Sequence, residues 1–255
     1  MIRRIGIFTY GVVSYAIFFA TFLYAVGFVG GFVVPQTIDG PLEGSLAAAL
    51  AIDLGLLALF ALQHSVMARP AFKRWLTRFV PTSAERSTYV LASSVALLLL
   101  FAAWRPLGGV VWDVDTPVLR VAIQGIFAAG WAIVLGSTLA INHFDLFGLR
   151  QVWLQLRGRP YTALPFGTPG PYRFVRHPLY VGWFLAFWAT PTMTVTHLVF
   201  ALATTGYILI AIVFEERDLV HFFGRDYEEY RRRTPMFVPR LGGSATRSEP
   251  SRVRV

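Results

Sequence analysis

The chain has 255 residues, 55% of them hydrophobic, with no cysteine and a formal net charge of +9. The lack of cysteine excludes disulfides, thiolate metal sites and a cysteine nucleophile, and a mean hydropathy of +0.56 excludes an ordinary soluble domain. The basic residues lie between apolar runs, so the charge reads as membrane topology and contact with anionic membrane lipids, not as nucleic-acid binding.

The first apolar run, Ile5–Val34, is too long for a signal-peptide core and lacks a clear small-residue cleavage site. It is predicted to be a retained first span. Gly27 and Gly31 near its end have the GxxxG spacing that permits close helix approach. The loop Pro35–Gly44 carries Asp39 and Glu43 and no Lys or Arg. The second run, Ser45–Ala68, contains Asp53 and ends in Gln63-His64-Ser65. A carboxylate within a span is costly, so Asp53 is expected to be paired or to line a cavity. The third run covers about Thr88–Val111 and the fourth about Val118–Ile141, with Asp113 and Asp115 between them.

Asn142–His177 is polar and aromatic, and its glycines and prolines, from Gly148 to Pro171, argue against a continuous helix. A loop this long in a compact protein is usually functional. The last apolar region, Leu179–Phe214, is too long for one span and short for two, at about 20 residues each. Pro191 near its middle predicts a tight helical hairpin that enters at Leu179, turns near Pro191–Thr196 and returns by Phe214. Glu215–Phe223 continues the second helix to a stop at Gly224. Asp226–Arg233 forms a short helix with its acid first and its bases last, and Pro235 ends it.

All but two of the 23 Lys and Arg fall in the N-terminus, Arg69–Ser87, Asn142–His177 and the tail. Four spans plus a hairpin place these regions on one side, which the positive-inside rule makes the cytosol. The predicted fold is an all-α polytopic membrane helix bundle: four spans, a C-terminal helical hairpin and short cytosolic helices. Residues 1–240 are expected to form a single integral-membrane domain, and 241–255 a disordered basic tail. Both termini are expected in the cytosol, with the bundle in a bacterial-type inner membrane. No metal-ligand spacing appears.

Two stretches carry chemistry. In Gly170–Trp183, GPYRFVRHPLYVGW, Arg176 and His177 sit where the chain re-enters the membrane. Pro178 suits the first turn of a helix, where its missing N–H costs nothing, and Gly182 is expected to leave room for a flat ligand. In Glu215–Tyr230, EERDLVHFFGRDYEEY, two adjacent carboxylates at a membrane helix end demand cationic or hydrogen-bonding partners. The hairpin places Arg176 and His177 at the same level, so the two stretches are expected to meet.

An RHPxYxG segment, an apolar hairpin and then EExxLxxxFGxxYxxY resemble the C-terminal signature of the isoprenylcysteine methyltransferase family and its bacterial phospholipid and small-molecule relatives, over about Gly170–Pro239. The resemblance implies S-adenosylmethionine as cofactor, with the cofactor-binding part over about 142–240. Tyr172, Arg176, His177, Pro178, Tyr180 and Gly182 would line its pocket, and Glu215 or Glu216 would contact its polar or cationic groups. Arg or His suits its carboxylate, Glu its ammonium or ribose, and an aromatic ring its adenine or sulfonium.

Leu62–Pro70, LQHSVMARP, resembles a segment of the nurim/NnrU-like branch. Asn142–Trp153, NHFDLFGLRQVW, and Ala189–Leu198, ATPTMTVTHL, are similar to the bacterial methanethiol S-methyltransferases, which implies a small volatile thiol as substrate and dimethyl sulfide as product. An aliphatic thiol is mostly protonated at neutral pH, so a base beside it would help. His143, oriented by Asp145 or paired with His64, is the expected proton acceptor. Phe144, Phe147 and Trp153 would supply a small apolar pocket. Other acceptors stay open at this point: a prenylcysteine carboxylate, a phospholipid amine or another small thiol. So does a non-enzymatic, nurim-like membrane protein.

Overall fold

Within a bilayer every backbone N–H must find a protein partner, so apolar runs coil into helices until glycine or proline stops them. A computed structural model describes residues 1–240; the expected basic tail, 241–255, lies outside the described residues. Helix α1 (Ile2–Gly30) ends where Gly31 adopts φ +73° and its N–H returns to the Gly27 carbonyl. Helices α2 (Leu46–Ala68) and α3 (Pro70–Leu76) follow, then a 3-10 turn at Thr82–Ala84 and helix α4 (Glu85–Ala103). A short strand β1 (Val110–Asp113) leads into α5 (Pro117–Ile141). Beyond it come α6 (His143–Leu146), α7 (Leu149–Leu156), α8 (Pro178–Trp188), strand β2 (Thr192–Thr194), α9 (Val195–Phe223) and α10 (Arg225–Arg233). Helices α1, α2, α4, α5 and α9 are each long and apolar enough to cross a membrane, α4 together with the 3-10 turn before it. The protein is an all-α polytopic helix bundle, with one two-stranded ribbon among the described residues.

The third span is shorter than the expected Thr88–Val111. It stops at Ala103, because Pro106 and the left-handed Gly108 and Gly109 turn the chain into β1. The hairpin turns where expected, but its first arm is unusual. Helix α8 has only 11 residues and rises about 16 Å, half of a bilayer core. The chain covers the remaining depth in extended form, at about 3.3 Å per residue. That is how Leu179–Phe214 makes two crossings with too few residues for two helices.

Extended backbone at this depth needs partners, and β1 supplies them. The strands pair antiparallel, Val110 opposite Thr194 and Asp113 opposite Thr192. Val114 N donates to the Pro191 carbonyl at 3.0 Å and Trp112 Nε1 to the Thr190 carbonyl at 3.3 Å. His197 Nε2 caps the last turn of α8 at the Phe187 carbonyl, 2.9 Å away.

The GxxxG pair of α1 does not mediate a helix contact. A side chain at Gly27 would strike the Phe32 carbonyl and Val34 of the chain's own turn. Close approach occurs instead between α5 and α8, where Gly130 and Gly182 face each other. Asp53 lies near the end of α2 remote from the basic loops. It is fully buried, and its Oδ1 accepts the Arg105 N–H at 2.9 Å, which closes the end of α4. An aromatic core of Phe28, Phe101, Trp104, Phe187 and Phe200 fills this end of the bundle. The other end gathers the N-terminus, α7, the α3–α4 segment and the C-terminal helices: Arg4 packs on Gly158, Tyr10 bonds Thr88, and Arg69 pairs with Asp218.

Candidate active site

The site at the basic end is built by two backbone devices. A residue before proline is pushed out of the helical region, and His177 accordingly sits at φ −125°, ψ 59° ahead of Pro178. Its segment then pairs with the chain after α10: Arg176 N donates to the Pro235 carbonyl at 2.9 Å and His177 N to the Met236 carbonyl at 3.2 Å. This ladder pins both side chains against the C-terminal part of α9. Neighbouring residues on a helix point about 100° apart, so Glu215 and Glu216 meet His177 from two sides, Glu215 Oε2 3.8 Å from its Nδ1 and Glu216 Oε1 3.1 Å from its Nε2.

Glu216 faces inward. Its Oε1 accepts from Arg176 Nε at 2.8 Å and from His177 Nε2 at 3.1 Å. The Glu216 side chain is 13% exposed, that of Arg176 10% and that of His177 4%. Arg176 also donates through Nη1 to the Thr234 carbonyl at 2.7 Å and the Arg231 carbonyl at 3.2 Å, the C-terminal carbonyls of α10. Glu215 accepts from Tyr180 OH at 2.8 Å, yet its side chain is 43% exposed. It is the carboxylate with free surface to offer a ligand.

The two sequence stretches therefore meet as expected. Tyr172 lies beside them: Tyr230 OH donates to the Tyr172 carbonyl at 2.6 Å. Burial, and then the charge of Glu215, push the Tyr172 phenol above its ordinary pKa. Phe166 packs on Phe223, Tyr227 and Tyr230 and forms an aromatic wall. Tyr227 is buried and its hydroxyl has no partner among the described residues. Burial, followed by the charge of Glu216, raises its pKa, so it stays a neutral donor. Phe166, Tyr227 and Tyr230 were not singled out from sequence. Both tyrosines stand in the EExxLxxxFGxxYxxY pattern, but only the fold turns their rings toward Arg176 and Glu216.

Two expectations need correction. Gly182 leaves no room for a ligand, since a Cβ there would lie 2.8 Å from the Gly130 carbonyl and from Val134 N. Its role is close packing of α8 on α5. His143 is neither oriented by Asp145 nor paired with His64. Asp145 is held by Arg150 at 2.8 Å and Tyr161 OH at 3.3 Å. Thr138 OH donates to the Leu135 carbonyl, so it accepts from His143 Nδ1–H at 2.9 Å. His143 Nε2 then accepts from Tyr15 OH at 2.8 Å. His64 lies between α2 and α4 on Tyr89 OH, 2.7 Å from Nε2, and Ser93 Oγ, 3.2 Å from Nδ1. Separate partners hold the two histidines because α6 turns His143 toward Tyr15 of α1, whereas His64 faces α4.

Burial pulls the His143 pKa below the ordinary histidine value. The sign follows: below about pH 6.5 the unfolded chain takes up a proton that the folded site resists, so stability falls as pH drops through that value. Thermal unfolding between pH 7.5 and 5 is expected to show this fall, with a smaller slope in His143→Gln.

Two clefts lie away from the junction. One of about 440 Å³ runs between α1 and the 3-10 turn, lined by Arg3, Tyr10, Pro81 and Thr88. Another of about 240 Å³ lies at the opposite end, beside Asp39, Glu43 and Arg105.

Comparison with known proteins gives a family match and several similar relatives. The phospholipid methyltransferase family matches residues 124–226, which run from α5 into α10 and include Arg176, His177, Tyr180, Glu215 and Glu216. The chain is 55% identical to a methanethiol S-methyltransferase of Crocosphaera subtropica over 241 residues, 94% of each chain. It is 56% identical to a methanethiol S-methyltransferase of Mycobacterium tuberculosis over 230 residues, 90% of this chain and 94% of the relative. A more distant relative is nurim of Sus scrofa, 31% identical over 69% of this chain. No solved structure gives a significant match.

Proposed function

Since the chain belongs to the methanethiol S-methyltransferase family, we propose that it methylates methanethiol to dimethyl sulfide, with S-adenosylmethionine as methyl donor. The observation that carries this reading is the junction of Arg176, His177 and Tyr180 with Glu215 and Glu216.

The residues present fit the donor. Glu215 has exposed carboxylate surface for an ammonium or ribose hydroxyls, and the buried Tyr227 hydroxyl lacks a partner that a polar ligand would supply. Tyr172 and Tyr180 offer aromatic faces beside Glu215. Arg176 and His177 hold Glu216 in place, and Pro178 starts the helix that carries Tyr180. When bound, S-adenosylmethionine supplies an electrophilic methyl group on a sulfonium. The protein must then align the acceptor sulfur in line with it and remove the thiol proton. His143 and His64 are the candidate acceptors of that proton, and the aromatic rings of Phe18, Phe144 and Phe147 around His143 exclude water from it. Without a cysteine, transfer is direct from donor to substrate. The cytosol is the side assigned to the basic end, with both termini there and the bundle in the inner membrane.

Purified protein supplied with methanethiol and labelled S-adenosylmethionine should release labelled dimethyl sulfide into the headspace. Label appearing only in phospholipid would replace the thiol with a lipid amine as acceptor; label in neither would remove the enzymatic reading. Tyr227→Phe isolates one contact. Because the hydroxyl is unsatisfied in the ligand-free fold, thermal stability should hold or rise. Loss of one hydrogen bond to the donor should weaken its binding by about 0.5–1.5 kcal/mol, roughly twofold to tenfold in Kd by calorimetry.

A further inference from the structure

Polar side chains inside a membrane bundle are expensive and mark function by default. One such cluster shares no residue with the donor junction. His64 of α2 is stacked on Phe60, ring centroids 5.2 Å apart, and bonded to Tyr89 and Ser93 of α4. Tyr207 of α9 closes it: its hydroxyl is 3.1 Å from Ser65 Oγ and its ring lies edge-on to Phe60. Tyr207 is also within electrostatic reach of both Tyr89 and Tyr180. Tyr180 in turn donates to Glu215. The cluster therefore adjoins the donor site.

Two details make it a binding space and not merely a polar seam. His64, Tyr89, Tyr207 and Tyr180 are each half-buried, so each keeps surface that a small ligand can meet. Along α9, Tyr207, Ala211 and Glu215 share one face, at i, i+4 and i+8. The eight residues from Tyr207 to Glu215 rise about 12 Å, and the small Ala211 leaves that face open between them. His143, by contrast, is buried, and its ring is enclosed by Tyr15, Phe18 and Phe147.

We infer that the acceptor thiol seats its sulfur among Phe60, His64, Tyr89 and Tyr207, with His64 as the base that takes its proton. The inference rests on reading the Glu215–Tyr180 junction as the methyl-donor site. In the step, the thiol S–H bond breaks, its proton passes to the Tyr89 hydroxyl as Tyr89 hands its own to His64 Nε2, and its electron pair stays on sulfur. That pair forms the new S–CH3 bond, while the pair of the broken sulfonium C–S bond returns to the leaving sulfur. One positive charge is consumed at the sulfonium and one appears on imidazolium. Tyr89 OH and Ser93 Oγ, with no other hydrogen bonds among the described residues, rotate to accept from both ring N–H groups. Phe60 and Tyr207 supply the apolar rings a small thiol requires.

The test uses the full-length protein with methanethiol and S-adenosylmethionine. His64→Gln is expected to lower kcat by about a hundredfold or more, to abolish the fall in kcat/KM on the acid side of the pH profile, and to leave donor Kd unchanged by calorimetry. Tyr207→Phe should raise KM for the thiol several-fold, also with unchanged donor Kd. Ala211→Phe, which fills the opening, should block turnover while the donor still binds. If His64→Gln keeps kcat within twofold and the acid limb persists, or if the acid limb disappears in His143→Gln instead, the inference is overturned. Failure of wild-type protein to bind the donor at all would be a different result: it would overturn the donor-site reading, and this inference with it.

Discussion

Glu216→Ala should be the most damaging single substitution at the junction. The change leaves Arg176 Nε and His177 Nε2 without their shared acceptor in a nearly closed environment. Arg176 cannot swing out to water freely, because Nη1 is tied to the Thr234 and Arg231 carbonyls. Breaking a buried pair by removing one partner costs about 3–5 kcal/mol, a large share of the stability of a protein this size. Thermal unfolding in detergent should show a clearly lowered Tm, and calorimetry should show no donor binding. Glu216→Gln separates the two effects. Its amide oxygen still accepts from Arg176, so much of the stability should return, while Arg176 is left without its counter-ion and donor affinity stays low. Unchanged stability and donor affinity in Glu216→Ala would mean that Arg176 and His177 are merely an interfacial anchor.

Gly182→Ala should be the most damaging change of a single methyl group. The new Cβ would meet the Gly130 carbonyl at 2.8 Å and Val134 N at 2.8 Å. These are backbone atoms of α5 and cannot yield as a side-chain tip does. Helices α5 and α8 would have to separate, and overpacking of this kind costs about 1–3 kcal/mol. The observable is again Tm. What distinguishes packing from ligand contact is the donor affinity of the protein that does fold: it should match wild type. A stable Gly182→Ala protein with weakened donor binding would restore the sequence-based expectation that this glycine faces the ligand.

Much of the fold was legible because membrane physics narrows the choices. Long apolar runs had to be helices, the segregation of Lys and Arg required an even number of crossings, and Pro191 marked the hairpin turn. What was not legible was the way a short helix and an extended segment together complete one crossing. That solution depends on β1, distant in sequence, lending its backbone groups to Thr192–Thr194. A hydropathy pattern carries no sign of such pairing.

The junction was legible for a related reason. Two carboxylates at a membrane helix end need cations at the same depth, and the hairpin geometry put Arg176 and His177 there. The histidines were less so. Sequence neighbours suggested Asp145 for His143, but α6 turns the Asp145 carboxylate toward Arg150 and Tyr161, while Thr138, one turn back on α5, takes Nδ1. Tyr89 and Tyr207 were invisible as site residues because a tyrosine in an apolar span looks like packing until its hydroxyl is seen to meet His64 or Ser65. Gly182 misled for the opposite reason: a glycine in a helix leaves room either for a ligand or for another helix, and only the position of α5 decides.

The central claim is that the paired ends of the hairpin grip the methyl donor, and the most direct test is donor-dependent thermal stabilisation of wild type against Glu215→Ala. Glu215 is the carboxylate with open surface, so its removal should leave the ligand-free Tm nearly unchanged. A donor that binds only the folded protein stabilises wild type by about 2.7 kcal/mol at a hundred times Kd, a rise in Tm of a few degrees, and Glu215→Ala should lose most of that rise. An equal rise in both proteins, or none in wild type, would contradict the account.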